Sequence, residues 1–345
     1  MFCYHHTDLD GNSSGYIVSR ICDIMEIPYT PYDFKGVNYD NPMDAHNGHQ
    51  DIIFITDLSF TQKSKSTLFN LCKDADKVIW VDHHQSSLDL CNNEEFRKEM
   101  PMNLFAFIGN GGCGALNAFR LIQSVYYTQV PSGINDEYNT ILKDILKGND
   151  VYNIYILPDD LSYIGVPFWL MHVDDYDRFV LKYPCTMDFI NGMNIVDTRT
   201  VIKDNETGKL IMNNFYKDLE SDDVFVDKCI EAGSTINSYL DNRYARELSH
   251  TFEVTVNDKD GNDRVILCKN AHHNSINFLH KFEEYDAVSI FYFNGKGWIH
   301  SVYAKDSSTF DCKEFCERYG GGGHFHAAGF QRTIEEGPLW LTMMK

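Results

Sequence analysis

Val78-Ile79-Trp80-Val81-Asp82-His83-His84 is a short apolar run that ends in an acid and two histidines. An apolar run of this length, bounded by polar residues, is the pattern of a strand buried on both faces. The arrangement recurs upstream. Ile52-Ile53-Phe54-Ile55 passes through Thr56 into Asp57, and Phe2 to His5 leads into His6-Thr7-Asp8-Leu9-Asp10-Gly11. Between the runs the apolar residues switch to helical spacing: Tyr16, Ile17, Ile21 and Ile24, then Leu68, Leu71 and Cys72, and later Ala118, Leu121, Ile122 and Val125 behind Gly114. Strand–helix–strand repetition over residues 1–196 predicts an α/β fold, a mainly parallel sheet with helices on both faces. In such a sheet the strand ends converge on one crevice. Acids and histidines placed at those ends are expected to meet there.

The texture changes after residue 196. Residues 197–248 read as a linker, polar and mixed to 222, followed by a long amphipathic connecting helix marked by Val226, Cys229, Ile230, Gly233, Ile236, Tyr239 and Leu240. Residues 249–345 alternate again, with strands over 252–256, 265–268, 287–293 and 298–303 and helices over 276–282 and 312–318. This predicts a smaller α+β C-terminal domain.

Charge and cysteine usage narrow the partners. A formal net charge of −20 argues against a basic face for long duplex nucleic acid, so any nucleotide ligand is expected to be short. No run reaches the length of a membrane span, and with candidate ligands from His6 onward no signal peptide is expected. Ten cysteines are scattered singly, several inside apolar segments, as expected of reduced core thiols in a cytoplasmic protein.

The chemistry-bearing residues are carboxylates and imidazoles. His6, Asp8 and Asp10 alternate just past a strand, and period-2 spacing puts all three on one side of an extended chain. His5 is the local alternative, out of register with the two aspartates. Two consecutive histidines, His83 and His84, point in different directions from a strand end, so one can ligate a metal while the other faces substrate, with Asp82 to orient an imidazole. A further acidic group, Asp174-Asp175-Tyr176-Asp177, follows His172-Val173. Here the expectation rests on Asp175, with Asp174 silent. A crevice rich in carboxylates with a few histidines can hold a pair of Mn²⁺ or Mg²⁺ ions. Near the end, Gly320-Gly321-Gly322-Gly323 runs into His324-Phe325-His326-Ala327-Ala328-Gly329-Phe330, and glycines in series expose backbone N–H groups suited to a phosphate. A rival zinc reading pairs Cys312 and Cys316 with His324 and His326, but the two cysteines fall at helical spacing on a core face.

Taken together, H-T-D-L-D-G, the strand ending in Asp57, V-D-H-H, Cys113-Gly114-Ala115, D-Y-D and G-G-G-G-H-F-H-A-A-G-F resemble the DHH phosphoesterase superfamily in its two-domain form with a C-terminal DHH-associated domain. The likeness covers essentially the whole chain and is greatest to the nanoRNase B-like branch of short-oligoribonucleotide or cyclic-nucleotide phosphodiesterases. It implies that Asp57 bridges two divalent ions, Mn²⁺ first and Mg²⁺ second. His6 and Asp8 would complete one site, and Asp10, His83 and Asp175 the other. His84 would contact the scissile phosphate, Asp82 would orient a ligand histidine, and Gly320, Gly321, Gly322, Gly323 and His324 would bind substrate. Implied substrates are short oligonucleotides, with cyclic mono- or dinucleotides or 3′-phosphoadenosine 5′-phosphate as alternatives, and a homodimer is left open. One departure stands out. Tyr303 occupies a position where the family commonly has arginine, which leaves Lys305 or Arg318 to anchor substrate.

Overall fold

The computed structural model describes every residue except 39–42, 44–47, 124–135, 150, 159–162, 164, 222, 248–249, 272–283, 306 and 344–345. The first sheet has six strands: β1 (Phe2–His6), β2 (Phe34–Val37), β3 (Gln50–Thr56), β4 (Ala75–Asp82), β5 (Leu104–Ile108) and β6 (Ile154–Ile156). Their order is β2-β1-β3-β4-β5-β6 and every pairing is parallel. The strand order reverses between β1 and β3, the kind of switch point at which open α/β sheets form their crevices.

Side-chain alternation explains why the strands read as continuous apolar runs. Cys3, Phe54, Ile79, Val81 and Phe107 enter one core. Their neighbours Tyr4, Ile53, Ile55, Val78, Trp80 and Ala106 enter the other, so the sheet is covered on both faces. The first core is completed by α1 (Leu9–Met25), the second by α2 (Lys65–Lys73), α3 (Gln85–Asn92) and α4 (Glu94–Glu99). Next come α5 (Gly114–Arg120), α6 (Asp136–Lys147), α7 (Phe168–Asp177) and α8 (Thr186–Met193).

Residues 197–222 are not the linker that their polar texture suggests. They carry β7 (Val201–Lys203), β8 (Leu210–Met212) and α9 (Asn214–Ser221), whose Phe215, Tyr216 and Leu219 are buried in the first core. Thr200 donates its N–H to Asn12 Oδ1 at 3.1 Å, and the Tyr216 ring stacks on Tyr16 at 5.0 Å. The helix that follows, α10 (Asp223–Glu247), packs backbone to backbone on α8. A Cβ on Gly233 would meet the Asp188 carbonyl oxygen at 1.6 Å, and one on Gly192 the Cys229 carbonyl oxygen at 1.8 Å. The chain divides within α10 into two compact units, 1–233 and 234–345.

The second unit is built on a six-stranded mixed sheet of β9 (Phe252–Asn257), β10 (Asp263–Asn270), β11 (Ala287–Phe293), β12 (Trp298–Tyr303), β13 (Gly322–Gly323) and β14 (Ala327–Arg332), ordered β13-β14-β12-β11-β10-β9. Helices α11 (Cys312–Glu317) and α12 (Leu339–Met343) accompany it. The helix expected over 276–282 lies outside the described residues, as does Val125. Cys312 and Cys316 are buried in this unit's apolar core, as a core face requires.

His300 sits in that core with its ring stacked between Phe291 at 5.5 Å and Phe330 at 4.5 Å. Burial lowers its imidazole to about 4. A histidine neutral when folded and protonated when unfolded contributes stability above its unfolded pKa of about 6.5, and the contribution is lost as pH falls from there toward 4. Acid unfolding of the second unit is therefore expected to steepen over this window by about 2–3 kcal/mol. A His300→Phe chain followed by denaturant titration from pH 7 to pH 4 should lose that slope.

Candidate metal centre

β1 ends at His6 and the chain turns at once into α1. Asp8 makes the turn: its Oδ1 accepts the Gly11 N–H at 2.8 Å, capping the helix, while Oδ2 lies 2.7 Å from His6 Nδ1. Gly11 has no room for a side chain, since a Cβ there would meet the His6 carbonyl oxygen at 2.3 Å. His5, the alternative to His6, is buried on the other side of the strand and hydrogen-bonds through Nδ1 to the His6 carbonyl.

Asp10, buried in the first turn of α1, accepts from Gly114 N–H at 2.6 Å and Ala115 N–H at 2.8 Å at the start of α5. Asp57 follows β3 in left-handed backbone, φ 55°, held by its N–H on the Val81 carbonyl at 3.0 Å. A non-glycine residue in this region costs about 1–2 kcal/mol. In return its two oxygens lie between histidines, Oδ1 3.2 Å from His83 Nε2 and Oδ2 3.8 Å from His6 Nδ1. His83 Nε2 is also 3.4 Å from Asp177 Oδ2 and 3.7 Å from Asp10 Oδ2. Ligand-bearing atoms of His6, Asp8 and Asp57 form one close group, those of Asp10, His83 and Asp177 a second, and those of Asp57, Asp82, His83 and His84 a third.

Two expectations change. Asp175 does not join these groups. Its Oδ1 accepts Lys182 N–H at 2.8 Å, and its Oδ2 accepts Tyr183 N–H at 3.2 Å and the Thr186 hydroxyl at 2.6 Å. It fastens the turn after α7, where Phe179 and Leu181 are both left-handed. Asp177, two residues on, is the carboxylate that reaches His83. Nor is Asp174 idle, for it is fully buried and holds the Cys113 N–H at 2.7 Å and Arg178 Nη2 at 2.7 Å. The segment is the end of a helix, and Asp177, not Asp175, is on the side that meets His83.

Asp82 is likewise reassigned. Its Oδ1 lies 2.8 Å from His84 Nδ1 and its Oδ2 accepts the Ser87 hydroxyl, so it orients His84 rather than the ligand candidate His83. Burial alone would lower the His84 imidazole, but the ion pair with Asp82 raises it to about 9. Ser87 had no signal in the sequence beyond standing three residues after the histidine pair.

The carboxylates fit divalent cations. Asp57 Oδ2 and Asp177 Oδ2 are buried without a hydrogen-bond partner, an expensive state for a carboxylate oxygen. Burial, then repulsion from Asp177, pushes Asp10 up to about 7. Burial, then Asp8, does the same to Asp177, and Asp57 is raised by burial and by Asp10. A cation answers both the repulsion and the orphaned oxygens.

In the second unit the glycine run is partly committed. Gly320, left-handed at φ 77°, and Gly321 close α11, donating to the Glu317 carbonyl at 3.1 Å and the Cys316 carbonyl at 3.0 Å. Gly322 and Gly323 pair with β14, and His324 donates its N–H to the Ala327 carbonyl at 2.7 Å. The picture of four free N–H groups is corrected accordingly. Arg318, offered as a substrate anchor, is held by Glu314 at 2.9 and 2.7 Å and by the Asn257 carbonyl at 2.7 Å.

His83 Nε2 thus gathers Asp57, Asp177 and Asp10 within 3.2, 3.4 and 3.7 Å. No family model matches the chain. Oligoribonuclease NrnB of Bacillus subtilis (strain 168) is 30% identical over 95 residues, 26% of this chain and 24% of that protein, so the chain spans about a quarter of the length of this curated relative. Among solved structures, a pGpG-specific phosphodiesterase, PggH, from Vibrio cholerae is 12% identical with a TM-score of 0.38, covering 97% of this chain and 95% of that one. The DHH domain of a member of the s1p family of ribosomal proteins gives 12% and 0.46, covering 99% and 84%. An exopolyphosphatase-related protein from Bacteroides fragilis gives 14% and 0.41, covering 97% and 88%. Scores this low carry no inference about chemistry.

Proposed function

We propose that this chain is a divalent-metal-dependent phosphodiesterase that hydrolyses short oligonucleotides to nucleoside monophosphates. The observation that supports this most is the pair of orphaned carboxylate oxygens, on Asp57 and Asp177, within a cluster that also presents His6, Asp8, Asp10 and His83. His6, Asp8 and Asp57 would hold one ion, and Asp10, His83, Asp177 and Asp57 the other. Bound there, the ions supply Lewis acidity and an activated water for in-line attack on phosphorus. Carboxylate oxygens with a few imidazoles favour Mn²⁺ or Mg²⁺ over softer metals. His84, held by Asp82, is placed to donate a proton or hydrogen bond to the phosphate as charge develops on the leaving oxygen. A net charge of −20 disfavours long duplexes and supports the choice of short substrates.

The test uses one preparation and several substrates. Chelated protein is expected to be inactive, Mn²⁺ to restore activity better than Zn²⁺, and dinucleotides to turn over faster than longer oligomers, cyclic nucleotides or the 3′,5′-bisphosphate. Activity that survives exhaustive chelation overturns the metal mechanism. Preference for a cyclic nucleotide or the bisphosphate overturns the substrate class alone.

The second unit is assigned substrate capture, and Gly322 offers a clean probe. A Cβ there meets nothing within 4 Å, so Gly322→Val is expected to fold normally. It should nevertheless raise KM roughly ten- to a hundredfold by crowding a charged-phosphate contact worth about 1.5–3 kcal/mol. An unchanged KM removes this turn from the substrate site. Gly321 and Gly323 are unsuitable, because a Cβ would meet the Gly329 carbonyl oxygen at 2.1 Å or the Ala327 carbonyl oxygen at 2.6 Å.

A further inference from the structure

Asp174 is a fully buried carboxylate outside all three ligand groups. It lies on α7, three residues before Asp177, so the two share one side of the helix. Four donors converge on it: the Cys113 N–H at 2.7 Å, Arg178 Nε at 2.9 Å and Nη2 at 2.7 Å, and the Tyr163 hydroxyl. The next two N–H groups along the chain from Cys113, those of Gly114 and Ala115, hold the two oxygens of Asp10. One backbone corner is thus fastened to Asp174 on one side and to Asp10 on the other. The circuit from Asp177 through Asp174, Cys113 and Gly114 to Asp10 closes on His83, which lies 3.4 Å from Asp177 and 3.7 Å from Asp10.

We propose that Asp174 is a positioning residue that sets the separation of Asp10 and Asp177, and so the shape of the ion site these two form with His83. The inference rests on the metal-centre reading above. Buried like charges repel, and two carboxylates that must face one cation need their backbones held from behind. The Arg178 fork fixes the plane of the Asp174 carboxylate, Nε on Oδ1 and Nη2 on Oδ2, and the Cys113 amide ties Oδ1 to the start of α5. Simple glue between α7 and α5 would use the same bonds, but the two roles predict different results. Glue lowers the stability of the fold and treats both ions alike. A spacer acts on one ion.

The experiment is a Mn²⁺ titration by calorimetry on the full chain, with thermal denaturation of the same preparations, comparing wild type, Asp174→Asn and Arg178→Gln. Asp174→Asn keeps the size of the side chain and an acceptor for Cys113, and removes the charged partner of Arg178. Wild type is expected to bind two ions. At a temperature where it is fully folded, Asp174→Asn should bind one ion as wild type does and the other about tenfold or more weakly, in keeping with the usual effect of outer-layer partners on metal affinity. Arg178→Gln, at a partly exposed side chain, should weaken the same ion by a smaller factor and keeps the test decisive if Asp174→Asn does not fold. Two unaltered affinities in a folded variant, or equal weakening of both ions, overturn the proposal. A wild-type chain that binds no divalent ion overturns the metal-centre reading itself.

Discussion

Asp57→Asn is expected to lower kcat by a factor on the order of 10³–10⁵ while leaving the metal-free fold at least as stable as wild type. The two halves of that result come from the same geometry. Asp57 is the carboxylate whose oxygens lie between His6 and His83, at 3.8 and 3.2 Å, so both inferred ions lose a ligand when it goes. In the absence of ions, however, Asp57 is a buried acid with one unpartnered oxygen, surrounded by Asp10, Asp8 and Asp177. Removing its charge relieves that repulsion. Asparagine also tolerates the left-handed backbone at this position better than alanine does, which keeps strain out of the comparison. Steady-state kinetics with Mn²⁺ and thermal denaturation under chelation check the pair. A variant that retains a tenth of wild-type kcat sinks the bridging assignment.

The second large effect separates two aspartates two residues apart. Asp177→Asn is expected to cost about 10³-fold in kcat with little change in stability. Asp175→Ala is expected to do the opposite in emphasis. It strands the N–H groups of Lys182 and Tyr183 and the Thr186 hydroxyl, and should destabilise the first unit by about 2–3 kcal/mol. Whatever activity it loses should be partly regained at lower temperature. Measuring kcat and the denaturation midpoint for both variants decides the matter, and a stable, inactive Asp175→Ala would return the ligand role to Asp175.

These two residues also mark the limit of what the sequence discloses. His6, Asp57 and the Asp82-His83-His84 run stand at or just after the ends of apolar strands, and the structure brings them together; Asp57 alone carries little signal and gains it only beside the other motifs. Asp177 was not legible, since it ends a helix, and the helical phase that selects it over Asp175 depends on where α7 starts. The acidic run itself was legible, but the roles within it were not. Residues 197–222 misled for a different reason. Their two short strands and the buried Phe215, Tyr216 and Leu219 are diluted among polar neighbours, and contacts such as those to Tyr16, Trp169 and Asn12 disclose them as core. The glycine run was recognised as unusual, yet which of its N–H groups close a helix depends on where α11 ends.

Of the ten cysteines, nine are buried and none is in a disulfide, while Cys185 alone is partly exposed, its Sγ 3.6 Å from His172 Nε2 in the turn that Asp175 fastens. The wild-type chain therefore carries a built-in address for a thiol-directed fluorophore or spin label, at one site and without mutagenesis. Such a label would report on the segment behind Asp177 in real time, during loading with metal or encounter with a nucleotide. Burial raises the Cys185 thiol, so labelling will be slow at neutral pH and faster in mild alkali.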